Sequence, residues 1–280
     1  MGRVTTRHRV VRIDEHHPGG VGAVDTLAVE EPLEIRLGPM RYSTTMRTPG
    51  HDMELVHGFL ASEGVIAGPG DIASARYCTG TVTDELTGLP RNTYNVLQIR
   101  LADGVRPPGT GRQVVTSSAC GVCGTDTIEA LERASRFDLR ADQIPVAAAT
   151  VLSLPDGLRR AQRAFSSTGA THAAALFSPA GELLAAREDI GRHNAVDKVV
   201  GWAMLNGRRP ASGCVLMVSG RIGFELAQKS VLAGIPVLAG ISAPTALAVQ
   251  TADETGLTLA GFVRGERMSI YSNPGRVVRV

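Results

Sequence analysis

Two thiols three positions apart, in Cys120-Gly121-Val122-Cys123-Gly124, are the sharpest chemical signal in the chain. The stretch stands before a helix-like run, TDTIEALERASR from Thr125. The amino end of a helix favours thiolate over thiol, and the thiolate is the reactive form. Three chemistries use such a pair: structural zinc binding, thiol–disulfide exchange, and carriage of sulfur as a persulfide. Two incidental buried cysteines are the ordinary alternative. A closed zinc site needs four ligands, yet Cys78 and Cys214 are isolated and the chain has no second CxxC and no HxxxH. A thioredoxin-type exchange site would sit in the fold's own strand-plus-helix core, whereas this pair follows a proline-rich linker. In the persulfide reading one cysteine holds the extra sulfur and the other helps to accept or release it. Cys78 and Cys214 read as small hydrophobes, the latter in the apolar strand CVLMV.

A second group of residues points to an anionic ligand. Three strand-to-helix turns are unusually polar: the run from Arg187 to Asn194, which holds Arg192 and His193; then Ser219-Gly220-Arg221; then Ser242-Ala243-Pro244. Ligands of open α/β sheets gather at the carboxyl ends of the strands. There glycine admits backbone amides to a phosphate, the helix amino end favours its charge, and arginine clamps it in a bidentate way. Phe262-Val263-Arg264-Gly265-Glu266-Arg267 adds two guanidiniums after a further strand, and Phe262 reads either as a stacking face or as a core ring. Lysine occurs only at Lys198 and Lys229, so both positions call for a compact ammonium; Asp197 and Glu225 are the expected partners.

The elements that must position these residues follow from periodicity. Val24 to Arg47 alternates as short strands, and Thr48-Pro49 predicts a helix start with Met53, Val56, Phe59 and Leu60 on one face. Strands are expected at 72–77 and 93–101. The linker DGVRPPGTGR, with three glycines and two prolines, marks a boundary. Beyond it, strands at 172–177, 183–187, 214–218 and 236–241 alternate with helices at 194–205, 224–233 and 244–254, ahead of LTLAGFV and SIY. Alternation of this kind predicts parallel pairing with helices on both faces, a three-layer α/β sandwich. The organisation read from this is a basic flexible arm (1–22), a small α+β domain (23–103), the linker and CxxC loop (104–124) and a larger α/β domain (125–280).

Composition excludes several classes. At 280 residues, with 43% hydrophobic and 20% charged, the chain can bury a sizeable core. The balance of 29 cationic and 27 acidic side chains, a net charge of +2, is too even for a nucleic-acid surface held by counterion release, and 4% aromatics argue against base stacking. Four cysteines cannot staple a chain this size and fit a reducing cytosol. The first residues show no apolar stretch that would make a secretory leader, and the most apolar segment, Val231 to Ile241, is too short for a bilayer and carries Pro236, so no membrane partner is expected.

Taken together the motifs resemble one family, the formate dehydrogenase accessory sulfurtransferases, commonly called FdhD. The likeness runs through MRTPGHDMELVHGFLASEG from Met46, SSACGVCG from Ser117, STGATHAAALF from Ser167, REDIGRHNAVDKVVG from Arg187, SGRIGFELAQKSVLAGIPVLAGISAPTALAV from Ser219 and GFVRGERMSIY from Gly261. The resemblance implies a cytosolic sulfurtransferase that takes sulfur from a cysteine desulfurase. It would pass that sulfur to the molybdenum or tungsten bis(guanine dinucleotide) pterin cofactor, before formate dehydrogenase receives it. It implies Cys120 as persulfide carrier, Cys123 as its helper, Phe262 to Arg267 as a cofactor-binding stretch, and a cytidine-deaminase-like fold for the second domain. A homodimer is left open. Two positions depart from the family pattern: Gly223 where a serine is usual, and Ala170 where the family has a second glycine. Two rival functions are a cofactor chaperone without sulfur chemistry and a zinc-dependent deaminase-like hydrolase. The hydrolase needs a His or Cys near a Glu and a Pro-Cys-x-x-Cys pair, but Ala119 precedes Cys120 and no HxE occurs. Purified protein is therefore expected to hold no stoichiometric metal. Elemental analysis finding about one zinc per chain, resistant to chelator, would move the assignment to a zinc protein.

Overall fold

In a computed structural model the described residues are 4–78, 81–83, 90–92, 95–106, 131 and 135–279. Cys120, Cys123, most of the linker and nearly all of the helix expected after them lie outside these residues.

The chain opens with a hairpin of β1 (Thr5–Asp14) and β2 (His17–Ala28), paired antiparallel from Thr5↔Ala28 onward. This corrects the expectation of a flexible arm over 1–22. Valines and Ile13 interleaved with arginines give a strand pattern that the charge density obscures. The Asp14 carboxylate closes the turn by accepting from the amides of His16 and His17 at 2.8 and 2.9 Å.

β3 (Glu31–Leu37), β4 (Met40–Arg47), β5 (Ile72–Tyr77) and, after a short hairpin of β6 (Thr81–Thr83) and β7 (Pro90–Asn92), β8 (Val96–Leu101) follow. The four longer strands make one sheet in the order β4-β3-β8-β5. Its inward side chains, Leu33, Ile35, Leu97 and Ile99, pack on Leu55, Val56 and Leu60 of α1 (Asp52–Ser62). The helix does not start at Thr48-Pro49 as expected. It starts at Asp52 after His51, whose φ of 58° takes the chain through a left-handed turn. Thr48 is held elsewhere: its amide donates to Asp189 and its hydroxyl accepts from the amide of Ile190.

The larger unit comprises β9 (Val146–Ala147), α2 (Ala148–Ala161), α3 (Arg163–Thr168), β10 (His172–Phe177), β11 (Leu183–Asp189), α4 (Arg192–Leu205), β12 (Val215–Val218), α5 (Phe224–Leu232), β13 (Val237–Gly240), α6 (Ala246–Thr255), β14 (Thr258–Arg264), β15 (Arg267–Ser272) and β16 (Val277–Val278). The six-stranded sheet runs β11-β10-β12-β13-β14-β15. Only β12, β13 and β14 are parallel, because α5 and α6 carry the chain back between them. The expected parallel pairing fails outside these three strands, where β10 runs antiparallel to β12 as well. There β10 and β11 form a hairpin closed at Gly181, and β14 and β15 another closed at Gly265, so no crossover helix intervenes.

Alternate residues of each central strand face opposite layers. Val215, Met217, Val237 and Ala239 join Val151, Leu154 and Leu158 of α2. Leu216, Val218 and Leu238 join Val196 and Val199 of α4, Leu226 of α5 and Ala248 of α6. The result is a mixed α/β unit with helices on both faces. The helices α2 and α3 are absent from the sequence reading, since Pro155 inside α2 resembles a breaker although the spacing of Val151, Leu154 and Leu158 is helical. No helix of the described residues is long and apolar enough to cross a membrane.

The two units join where α1 crosses α4. A Cβ on Gly201 would stand 1.8 Å from the Glu54 carbonyl oxygen, and one on Gly58 would stand 1.9 Å from that of Asp197, so the backbones touch where both side chains are missing. Gly201→Ala is expected to cost about 1–3 kcal/mol or more by forcing the helices apart. Gly68→Ala, where nothing lies within 4 Å, should stay within about 0.5 kcal/mol. Denaturant unfolding of the two variants checks the contrast.

Candidate functional site

The register brings one edge of the six-stranded sheet together. His172 opposes Asp189, Ala174 opposes Val218, Val218 lies beside Gly240, and Arg264 opposes Arg267. The start of β10, the ends of β11 to β14 and the start of β15 therefore share that edge. Its turns are tied to one another by hydrogen bonds. The Ser219 amide donates to Ala173 O and its hydroxyl accepts from the Ala173 amide, at 3.0 and 2.9 Å. Ile222 N–H donates to Ala243 O, Thr245 N–H to Ile222 O, and Phe262 N–H to Ser242 O at 3.1 Å.

The turn holding Arg192 and His193, the Ser219-Gly220-Arg221 turn and the 262–267 segment thus lie side by side. Their side chains are not equivalent. The Ser219 hydroxyl accepts from the sheet and keeps its O–H to donate, whereas Val263 is fully buried in the core and meets a ligand through the backbone at most. Arg221, Arg264, Gly265, Glu266 and Arg267 are exposed, the last four around an open depression at the β14–β15 turn. Phe262 is half-buried with φ of 52°, a left-handed conformation costly for a bulky residue, and the Arg264 guanidinium lies 5.7 Å from its ring centre. Gly261 beside it leaves room for the neighbouring turn, because a Cβ there would stand 2.9 Å from Pro244.

Beneath this edge sits a buried charged cluster. Asp189, with no exposed surface, accepts from the amides of Thr48 (3.1 Å) and Gly191 (2.9 Å) and from the Asn194 side chain (3.1 Å). Its carboxylate pairs with Lys198 Nζ at 2.7 Å. Lys198 also donates to the carbonyls of Thr48 and Glu188. Lys229 pairs with Asp197 at 2.7 Å, so the expected partners of both lysines are corrected. Adjacent helical residues such as Asp197 and Lys198 point about 100° apart and cannot pair. Burial pushes the Asp197 carboxyl up, and Lys229 opposes it.

At the surface of the cluster, His193 Nε2 and Glu225 Oε2 are 3.1 Å apart, and that hydrogen bond holds the Glu225 carboxyl below its usual range against partial burial. His172, outside the set singled out from the sequence, lies against Gly220. Burial lowers its basicity, with Arg192 and His193 adding to the effect and Asp189 opposing it. The signal for it is a histidine opening a strand directly before the apolar run AAALF. Gly223 caps α5, where its lack of a side-chain acceptor relative to serine is worth only a few tenths of a kcal/mol. Arrangements of this kind, glycine turns with arginines and a paired histidine at the carboxyl ends of parallel strands, suit a phosphorylated ligand.

Lys198→Met should destabilise the fold by about 3–5 kcal/mol, because it leaves the Asp189 carboxylate buried without its counter-charge. The double variant with Asp189→Leu should recover part of that loss in the same unfolding measurement.

The model of the FdhD/NarQ family matches residues 28–278. A Sulfur carrier protein FdhD of Nocardia farcinica is 53% identical over 99% of this chain and 96% of its own. Its namesakes in Mycobacterium tuberculosis and Streptomyces coelicolor are 50% and 51% identical, again over 99% of this chain and over 100% and 97% of theirs. The fold is similar to the crystal structure of a Desulfotalea psychrophila protein described as a formate dehydrogenase accessory protein, with a TM-score of 0.75 and 22% identity over 99% of this chain and 100% of that one. With matches that span both units and the segment between them, the chain belongs to the FdhD/NarQ family.

Proposed function

We propose that this protein is a cytosolic sulfurtransferase that carries sulfur as a persulfide on Cys120, with Cys123 helping to accept or release it. The observation that carries the reading is the end-to-end likeness to relatives named sulfur carrier proteins. The donor is a cysteine desulfurase. Its recipient is the molybdenum or tungsten bis(guanine dinucleotide) pterin cofactor, which then goes to formate dehydrogenase. In loading, the Cys120 thiolate attacks the outer sulfur of the donor's persulfide. A new S–S bond forms, the donor's S–S bond breaks, and the donor cysteine leaves as thiolate, so electrons are conserved without an added oxidant.

The sheet edge is the cofactor's place in this reading. Arg192, His193 and Arg221 take phosphates with the backbone of Ser219 and Gly220, while Arg264 and Arg267 reach over from the β14–β15 turn and Phe262 offers a ring face. A cytidine-deaminase-like fold for the larger unit is part of the same reading and carries no deaminase chemistry with it.

Intact-mass analysis after incubation with a desulfurase and cysteine tests the sulfur step. One added sulfur mapping to Cys120 is expected, lost in Cys120→Ala and turned over more slowly in Cys123→Ala; sulfur mapping to Cys123, Cys78 or Cys214 would overturn the assignment. A guanine nucleotide at about a hundredfold excess over its Kd should stabilise the fold by about 2.7 kcal/mol. Arg267→Ala should remove most of that shift and leave sulfur loading intact, since loading and cofactor binding occupy separate places.

A further inference from the structure

His172 has properties that neither the sulfur step nor a fixed phosphate clamp uses. Its ring packs against Gly220, whose Cα hydrogen points at it: a Cβ there would stand 3.4 Å from Nδ1, in van der Waals contact, so the imidazole lies directly on the Ser219-Gly220-Arg221 turn. Neither ring nitrogen has a hydrogen-bond partner among the described residues. Every fully buried side-chain nitrogen or oxygen among those residues does have one, so the nitrogens of this half-buried ring open to solvent at the edge.

The groups around it are mostly cationic or already engaged. From α4 it faces Arg192 and His193; His193 is paired with Glu225 of α5, and Arg221 follows Gly220 in the adjoining turn. Across the strand pair stands Asp189, whose carboxylate is held by Lys198, Asn194 and two amides. Burial disfavours an imidazolium here, and while the edge is empty of anions Arg192 and His193 add to that effect, with Asp189 opposing it. An anion lying on the turn reverses the balance: it offsets Arg192 and Arg221 and gives an imidazole N–H an acceptor.

We propose that His172 takes up a proton as an anionic phosphate group docks on this edge, making ligand binding proton-coupled. The inference rests on the reading of the edge as the phosphate site. It assigns His172 as a binding residue that distinguishes an occupied from an empty edge, and it makes release easier as pH rises.

The linkage has a defined sign. A ring neutral in the free protein and cationic in the complex binds ligand with net proton uptake, so affinity falls by up to about tenfold per pH unit between the ring's pKa in the free protein and its higher pKa in the complex, and levels off above the latter. Diguanosine pyrophosphate is a suitable probe, because its phosphates are diesters and do not titrate near neutrality. Calorimetry from about pH 5.5 to about pH 8, in buffers of different ionisation enthalpy, should show uptake of up to one proton by the wild-type protein and a flat, uptake-free profile in His172→Gln. In the wild-type protein, NMR titration of the His172 ring should show its pKa rising on addition of the probe, a readout independent of how well the variant folds. Binding without uptake, uptake that survives in His172→Gln, or an unmoved His172 titration would overturn the proton coupling and leave the phosphate site standing. No binding at any pH would overturn the phosphate site and the coupling with it.

Discussion

The buried pair between Asp189 and Lys198 is the interaction on which the sheet edge depends. Four donors converge on one carboxylate: an amide from residue 48 of the smaller unit, an amide from the turn before α4, and side chains from two positions of that helix. A carboxylate with no exposed surface costs several kcal/mol to desolvate and is tolerable only when paired and hydrogen-bonded. The arrangement is therefore all or nothing, and its geometry is inherited by Gly191, Arg192 and His193. The Asn194 side chain extends it by donating to Met46 O and accepting from the Thr45 hydroxyl. The edge residues named above all belong to the larger unit, yet the strand end at Thr45–Thr48 determines where the first turn of α4 sits.

The close crossing of α1 and α4 gives this junction its second constraint. Because Gly58 and Gly201 let the backbones meet, α4 is buried along most of its length, and any charge it carries must be neutralised inside. Asp197 meets that need with Lys229 of α5 and the Ser62 hydroxyl of α1, which locks a third helix into the seam. Further out, Glu54 forms a two-point contact with Arg187 and a longer one with His51. Burial pushes the pKa of that carboxyl up, but the Arg187 and His51 hydrogen bonds and charges prevail and bring it down to about 2. Its folded pKa lies below the ordinary value, so its stabilisation is complete above about pH 4.5 and is lost as pH falls through about 2.

Much of this was legible in the sequence, and the failures have identifiable causes. The strands and helices from His172 to Ser272 were readable within a residue or two, because each apolar run is bounded by a polar or glycine-rich turn. That Arg192, His193, Ser219, Gly220 and Arg221 share one edge was readable as well, since chain order alone places βα turns at the same end of a parallel sheet, while the Phe262–Arg267 segment comes to that edge through a hairpin. Thr48 was misread as a cap because its role is set by Asp189, 141 positions away, and local propensity carries no such information. The antiparallel pairing of β10 with β11 was hidden for a related reason: a hairpin turn at Gly181 and a missing crossover helix are distinguished by loop length, not by the strands. His172 was overlooked because an isolated histidine at a strand start has no motif. Its setting, against Gly220 and facing Arg192 and His193, exists only after folding. Cys120 and Cys123, the strongest signal in the sequence, fall outside the described residues, so the fold and the sulfur chemistry are argued from different parts of the chain.

The choice between lysine and arginine shows how far side-chain type alone anticipates the site. Arginine fills nearly every cationic position here, including buried ones, wherever a planar fork can meet acceptors in its plane. Arg47 grips both oxygens of Asp52 at 3.0 and 2.9 Å, and Arg276 spreads over the carbonyls of Leu139, Asp142 and Gly256 and the hydroxyl of Thr258. Lys198 faces a different arrangement: one carboxylate oxygen at 2.7 Å and carbonyls at 2.9 and 3.3 Å, collected around a single point at the end of an aliphatic stem. A tetrahedral ammonium can serve three acceptors disposed around it, whereas a guanidinium there would need more volume and would direct donors where none of these oxygens lies. Lys229 likewise ends on a single oxygen of Asp197 within a helix seam. The two positions where lysine survives are thus the two where the fold requires a small, buried point charge, and both lie within helices whose first turns border the ligand edge.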